Sequence, residues 1–203
     1  MLEAGKKGLG SDEIRFELET ITQDKSILFE REGTAIRKPL PRLLSEILSV
    51  EERLSYDATE SEPNVVISLL APLRIRTEGR TAQRLNFSIL AKAAIRRISI
   101  LNAFYGDRTL PSSEITNHLL SLSEQVVTVA DSLRPFGFDR FSGRQKRTVF
   151  LDGILGNISF RNVAPELLQM LRIVEVVGLG KSTSFGFGRI GVAVQGDRYV
   201  TCS

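Results

Sequence analysis

The stretch from Asn64 to Tyr105 constrains the fold more than any other part of the sequence. It begins with a near-continuous apolar run, Val65 to Leu70, which is typical of a central strand with both faces covered. The following segment, Gln83 to Tyr105, contains neither Gly nor Pro and carries apolar residues almost all round, as a largely buried helix does. A buried strand and a buried helix need further elements to cover them, so this stretch predicts the centre of an α+β domain.

The later segments supply those elements. Their predicted order after the first strand and helix is an added amphipathic helix, two strands, a helix and a last strand, which gives the ferredoxin-like βαββαβ arrangement with one additional helix. The corresponding segments are a helix from Ser112 or Ser113 to about Leu133, a bulged strand pair within Thr148 to Phe160, a helix from Pro165 to Val177 closed by Gly178, and a strand from Phe187 to Val194.

The part before Asn64 reads differently. Apolar and polar residues alternate in the segment Ile14 to Ile21, which predicts a strand. We predict a loose strand pair formed by Ile27 to Phe29 and Ala35 to Ile36. A glycine loop precedes the first of these strands at Gly5 to Gly10, much as another precedes the last strand of the chain. We therefore predict that residues 1–63 are the β-rich remnant of a first, similar domain plus a linker ending in the turn-rich segment 55–63, and that residues 64–203 form the C-terminal domain.

Composition excludes several classes of function. The 27 Lys and Arg against 24 Asp and Glu give a net charge of +3, so attraction to nucleic acid must come from local basic clusters. One cysteine and one histidine cannot supply the Cys/His ligands of a zinc site, and we expect neither a metal nor another cofactor. With no signal-peptide pattern and no run near the length of a membrane span, we predict a soluble, cytoplasmic protein without a membrane partner.

The segment Gly178 to Gly188, with the sequence GLGKSTSFGFG, carries the strongest chemical signal. Its glycines, three hydroxyls and one lysine can wrap backbone N–H groups and a cation around a phosphate. It is not a P-loop, because Glu175 stands where a glycine is needed and the order of helix and strand is reversed. Gly186 to Gly191 also match the dinucleotide fingerprint literally, but no helix follows. Alternatively, these glycines serve only to make a tight connection between the helix and the strand.

The helix, this loop and the following strand together resemble the C-terminal signature of the repeat-associated RNA-binding superfamily of CRISPR systems. The sequence is most similar there to the endoribonucleases that process repeat RNA. The similarity includes the segments 69–75, 100–106, 141–145 and 153–158, and covers most of the chain from about Gly5 to Val194.

That resemblance implies two tandem ferredoxin-like domains and metal-independent cleavage, in which a 2′-hydroxyl attacks the adjacent phosphate and leaves a 2′,3′-cyclic end. The family's usual catalytic histidine lies in the N-terminal domain, which we expect to be missing. The only histidine, His118, falls in a C-terminal-domain helix and receives no catalytic role, so we expect this chain alone to be inactive. With the resemblance, we predict RNA binding by these residues of the loop: Gly178, Gly180, Lys181, Ser182, Thr183, Ser184, Gly186 and Gly188. Arg144, Lys146 and Arg147 cluster beside the predicted strand pair, where they can reach RNA phosphates or base edges; a solvated charged turn is the other interpretation of this cluster.

Three functions remain open from the sequence. The chain could be the RNA-binding half of a processing endoribonuclease whose partner is CRISPR repeat RNA. It could instead be a non-catalytic RNA-binding subunit that contacts other subunits of a CRISPR effector complex. The third is a small α+β domain whose loop binds a nucleotide or mediates dimerisation, which leaves a homodimer open as well.

Overall fold

The computed structural model describes residues 15, 17–23, 26–31, 36–38, 64–106, 111–143 and 146–194. The chain divides into two compact units, Met1–Ile47 and Leu48–Ser203, and each is described by itself. The predicted linker segment 55–63 lies outside the described residues, so the predicted domain boundary there stays a prediction.

In the first unit, β1 (Thr20–Gln23) pairs antiparallel with β2 (Ser26–Glu30). The expected strand from Ile14 is only partly correct, because residues 17–19 lie outside any strand and pairing begins at Thr20. The segment Ile27 to Phe29 is a strand as predicted and pairs with β1. The predicted contact with the segment around Ile36 is present as one hydrogen bond, from the N–H of Arg37 to the Leu28 carbonyl over 2.8 Å, although residues 36–38 belong to no strand.

The second unit holds seven strands and three α-helices among its described residues. The helices are α1 (Phe87–Tyr105), α2 (Ser113–Gln125) and α3 (Pro165–Val177). The strands are β3 (Val65–Leu73), β4 (Arg76–Thr77), β5 (Arg80–Thr81), β6 (Val127–Asp131), β7 (Arg134–Ser142), β8 (Arg147–Arg161) and β9 (Ile190–Val194).

Five of these strands form one antiparallel sheet. Its order is β6–β8–β3–β9, and β7 also pairs with β8. The first strand of the domain therefore lies in the centre, with Val65 opposite Phe160 on one side and opposite Val194 on the other. This confirms the α+β, ferredoxin-like fold predicted from the order of the elements, including the pairing of the last strand beside β3.

Two segments differ from the sequence prediction. The predicted strand pair within Thr148 to Phe160 is one long strand, β8, whose partners are β3, β6 and β7. The predicted bulge is present at Gly156, where φ is 128° and the register with β3 shifts. The added helix ends at Gln125 and not near Leu133, because Val127 to Asp131 pair with β8 as a strand.

The core lies between the sheet and the helices. Val65, Ile67, Leu69 and Leu73 of β3 are buried in the core, and their two-residue spacing is that of one face of a strand. Phe87, the first residue of α1, meets Phe160 of β8 edge to face with ring centroids 5.0 Å apart. The apolar face of α3 closes the core through Leu167, Leu171 and Val174.

Local chemistry fixes the ends of the helices. Asn86 and Ser112 accept hydrogen bonds from the N–H groups of Ile89 and Ile115, so each acts as an N-cap. Pro165 occupies the first turn of α3, and the N–H of Gly178 donates to Val174 at the other end. No helix among the described residues is long and apolar enough to cross a lipid bilayer.

Candidate functional site

The loop between α3 and β9, residues 178–189, is anchored at its base to the end of β3. The N–H of Gly188 donates to the carbonyl of Pro72 over 2.9 Å, and that of Lys181 donates to Arg74 over 2.8 Å. A third bond, from Leu179 to Gly188 over 2.8 Å, joins the two arms of the loop, and the Leu179 side chain is fully buried. The base is therefore part of the folded core.

Close backbone approach explains the glycines of the base. A Cβ at Gly180 would lie 2.5 Å from the Arg74 carbonyl oxygen, and one at Gly188 would overlap the carbonyl oxygen of Leu179. These positions are occupied by glycine because a side chain at Gly180 would displace the loop from the chain that follows β3, and one at Gly188 would force the two arms of the loop apart. For Gly180 and Gly188, the interpretation as a tight connection therefore has direct structural support.

The tip of the loop is different. Ser182 adopts a left-handed conformation with φ of 65°, and Thr183–Phe185 then form one turn of 3-10 helix that ends at Gly186. A Cβ at Gly186 would meet nothing within 4 Å, so its surroundings are open. Lys181, Ser184 and Gly186 are exposed, and the side chains of Ser182 and Thr183 are partly exposed.

Three successive N–H groups at the tip remain available to a ligand. Those of Ser182, Thr183 and Ser184 donate no hydrogen bond to any residue that the structure describes. The N–H of Lys181 is already bonded to Arg74, so this residue offers its ammonium group alone. Lys181 to Ser184 therefore supply one exposed cation, three amides without a described partner and three hydroxyls, which are the groups that bind an anion.

The β7–β8 hairpin contacts this loop through aromatic side chains. The ring centroids of Phe138 and Phe187 are 6.1 Å apart, and Phe187 and Leu151 are buried outside the main core. The guanidinium carbon of Arg140 lies 4.3 Å from the centre of the Phe185 ring, which is cation–π geometry. The hairpin and the loop thus form one surface.

Two of the three predicted basic residues of the hairpin can be located. Lys146 is exposed at the hairpin turn with φ of 47°, and Arg147 is exposed at the start of β8; Arg144 lies outside the described residues. Arg147 is opposite Ser142 and Arg140 is opposite Val149, which puts both arginines on one face, about 7 Å apart along the strands. That face is the one that contacts the glycine loop.

Sequence reasoning missed the aromatic part of this surface. Phe136, Phe138 and Phe185 are 38%, 40% and 51% exposed, and none of the three was among the predicted site residues. The alternation of Arg134, Phe136, Phe138 and Arg140 was the available signal, since it has the period of a strand.

The only histidine lies in another environment. His118 is exposed on α2 and lines a groove between the three helices together with Glu114 and Glu166. Within the described part of the chain, no group of three or more His, Cys, Asp or Glu side chains is arranged to hold a metal ion.

An open ferredoxin-like sheet with a glycine-rich loop before its last strand defines a class of small α+β domain. Comparison with known proteins identifies the family. The model for "CRISPR-associated endoribonuclease Cas6" matches residues 67–190, more than half of the 203 residues. The chain belongs to this family, which confirms the resemblance found in the sequence.

This chain aligns with several solved structures, but each alignment covers only part of the other protein. Thermus thermophilus Cas6 aligns at 15% identity with a TM-score of 0.49, over 66% of this chain and 55% of that one. A Cas6 product complex aligns at 18% identity with a TM-score of 0.48, over 70% of this chain and 57% of that one. A partial Cas6-RT-Cas1–Cas2 complex aligns at 16% identity with a TM-score of 0.50, over 77% of this chain and 27% of that one. This chain therefore spans about half of the Thermus thermophilus protein. None of the curated protein sequences matches it.

Proposed function

We propose that this chain binds CRISPR repeat RNA through the tip of the glycine-rich loop and the adjoining hairpin face, and so serves repeat-RNA processing. The observation that carries the proposal is the tip itself, where the N–H groups of Ser182 to Ser184 have no described partner, Lys181 is exposed and the surroundings of Gly186 are open. Family membership gives the substrate class. The anchored base gives these groups fixed positions before RNA arrives.

In this proposal the loop tip holds a phosphate. Backbone N–H groups donate to phosphate oxygens, the hydroxyls of Ser182, Thr183 and Ser184 add further donors, and the Lys181 ammonium supplies the opposite charge. Gly186 contributes by having no side chain, because the space beside it stays open for the RNA backbone. None of these contacts reads a base, so the loop contributes affinity and position.

The hairpin face holds neighbouring nucleotides. Phe136, Phe138 and Phe185 offer exposed ring surface on which unpaired bases stack. Arg140, whose guanidinium already lies over the Phe185 ring, extends that surface. Arg147 and Lys146 lie farther along the hairpin as phosphate contacts. Stacking tolerates every base, so sequence preference comes from base-edge contacts elsewhere.

The processing reaction itself needs a group that this chain does not offer at the loop. In metal-independent cleavage the 2′-oxygen loses its proton and bonds to the adjacent phosphorus, while the 5′-oxygen leaves with a proton and a 2′,3′-cyclic phosphate remains. His118 lies on the helical layer and not at the loop. We therefore assign proton transfer to an N-terminal domain and RNA binding to this chain.

Binding titrations with loop variants test the proposal. Lys181→Ala should reduce the slope of log affinity against log salt by about 0.7 for one lost contact to single-stranded RNA. Gly186→Leu should weaken binding more, because its side chain occupies the open space beside the amides. The probe is a synthetic repeat RNA from the array of the source organism.

Lys92→Ala is the matched control, since Lys92 is an exposed cation on α1. Circular dichroism checks that each variant is folded. Folded Lys181→Ala and Gly186→Leu variants that bind the repeat like the parent would return the loop to a purely connecting role.

A further inference from the structure

A short hairpin between β3 and α1 presents a second basic surface. Its strands β4 and β5 are joined by Glu78 and Gly79, whose φ values of 50° and 80° are those of a two-residue turn with left-handed conformation at both central positions. The Arg76 guanidinium donates to the Gly79 carbonyl, and the N–H of Ala82 donates to Ile75 over 2.8 Å. The hairpin is therefore held in one conformation while its side chains face solvent.

The cations of this hairpin are not neutralised. Arg80 and Arg84 are exposed and form no ion pair with any residue that the structure describes. Both line an open, polar pocket of about 520 Å³ that also includes the side chains of Thr77, Gln83 and Glu78. Glu78 is the one carboxylate among the lining residues, so the two arginines leave this pocket with a net positive charge.

The hairpin lies next to the glycine loop. The carbonyl of Arg74 accepts the hydrogen bond from Lys181, and β4 begins only two residues later. Two residues of extended chain span at most about 7 Å, so the Cα of Arg76 is within that distance of the anchor point of the loop. A nucleic-acid strand that crosses Lys181 can continue onto the hairpin without leaving the protein.

We propose that the hairpin Arg76–Thr81, together with Arg84, is a second contact for the RNA backbone and binds phosphates of the strand that crosses the glycine loop. The inference rests on the RNA-binding function proposed above. Guanidinium groups bind phosphate with two parallel hydrogen bonds and stay charged at every relevant pH. No aromatic residue lines the pocket, so a base has no stacking partner there, which favours the backbone over a free nucleotide.

A pair of matched double variants tests this contact. Arg80→Ala/Arg84→Ala removes one exposed cation from the hairpin and one just after it, and Lys92→Ala/Arg96→Ala removes two from the exposed side of α1. We measure the affinity of each for the repeat RNA and for an unrelated single-stranded RNA of equal length at several salt concentrations. The hairpin variant should lose about 1.4 units from the slope of log affinity against log salt with both RNAs. If parent and variant bind equally at 1 M salt, this slope difference makes the variant about 25-fold weaker at 0.1 M salt.

The α1 variant should keep the parent slope. Arg80→Lys/Arg84→Lys should retain most of the salt slope, because it preserves both charges. If the two arginines were needed only for the structure of the hairpin, restoring the charge would not restore the slope. Unchanged binding by the hairpin variant, or an equal loss in the α1 variant, would overturn this second contact and leave the loop proposal standing. Competition by ATP as effective as that by RNA would point to a nucleotide pocket and also overturn it. A parent chain that binds neither RNA would overturn both proposals.

Discussion

Replacement of single glycines can separate the anchored base of the loop from its open tip. Gly188 and Gly186 both have positive φ, 78° and 85°, and lie two residues apart in the same loop. Only their surroundings differ, because a Cβ at Gly188 overlaps the Leu179 carbonyl whereas one at Gly186 meets nothing within 4 Å. Alanine at either position carries nearly the same penalty for its positive φ. The difference in stability between the two alanine variants therefore measures the packing of the loop base.

The size of the difference follows from the contacts. A non-glycine residue in the left-handed region costs about 1–2 kcal/mol, and Gly186→Ala should lose no more than that. Gly188→Ala must also move the backbone away from Leu179, which disrupts the Leu179–Gly188 bond of 2.8 Å and the Gly188–Pro72 bond of 2.9 Å. Each such bond contributes about 1 kcal/mol, so we expect Gly188→Ala to lose about 3–4 kcal/mol.

Urea unfolding followed by circular dichroism measures both values. With a slope of about 2 kcal/mol per molar urea for a protein of this size, the midpoints of the two variants should differ by about 1 M. Gly79→Ala is a matched control, because Gly79 has φ of 80° and open space around its Cβ position. A Gly188→Ala variant as stable as the Gly186→Ala and Gly79→Ala variants would refute the anchoring of the loop to β3.

Two further predictions concern the core and the chemistry. Phe160→Ala removes a fully buried ring that packs on Phe87 and should lower the free energy of unfolding by about 3–5 kcal/mol, whereas Phe141→Ala, at a 65% exposed position, should change it little; equal losses in urea unfolding would contradict the described core. This polypeptide alone should give no cleavage product from repeat RNA in a gel assay, because its only histidine lies on α2; product that disappears in His118→Ala would place the active site on the helical layer.

The central elements of the domain could be predicted because their patterns are local. Strand β3 is an apolar run, α1 is a long segment without Gly or Pro, and α3 begins at a proline and ends before a glycine. Each signal lies within the element that it specifies. The pairing of β9 beside β3 then followed from the order of the elements.

The strands β6 and β7 were missed for a physical reason. All five residues of β6 are exposed, and so are all but one of β7, so neither strand has the buried apolar face by which a strand is usually recognised. The only signal in β7 was the two-residue period of its Arg and Phe side chains. Val126 and Val129 also fit the helical spacing of the preceding segment, which extended the predicted helix too far. What makes these residues a strand is the unsatisfied edge of β8, a partner about thirty residues later in the chain.

The roles of the glycines were equally inaccessible, because Gly180, Gly186 and Gly188 are alike in sequence and differ only in their neighbours. At the base the neighbours are Arg74, which is far from the loop in sequence, and Leu179, which is on the other arm of the loop, whereas Gly186 at the tip has open surroundings. Yet the two roles depend on each other. Amides bind an anion well when their directions are fixed in advance, since little ordering is then required on binding. The base provides that fixation through Pro72 and Arg74, so a glycine that never touches RNA can still be required for its binding.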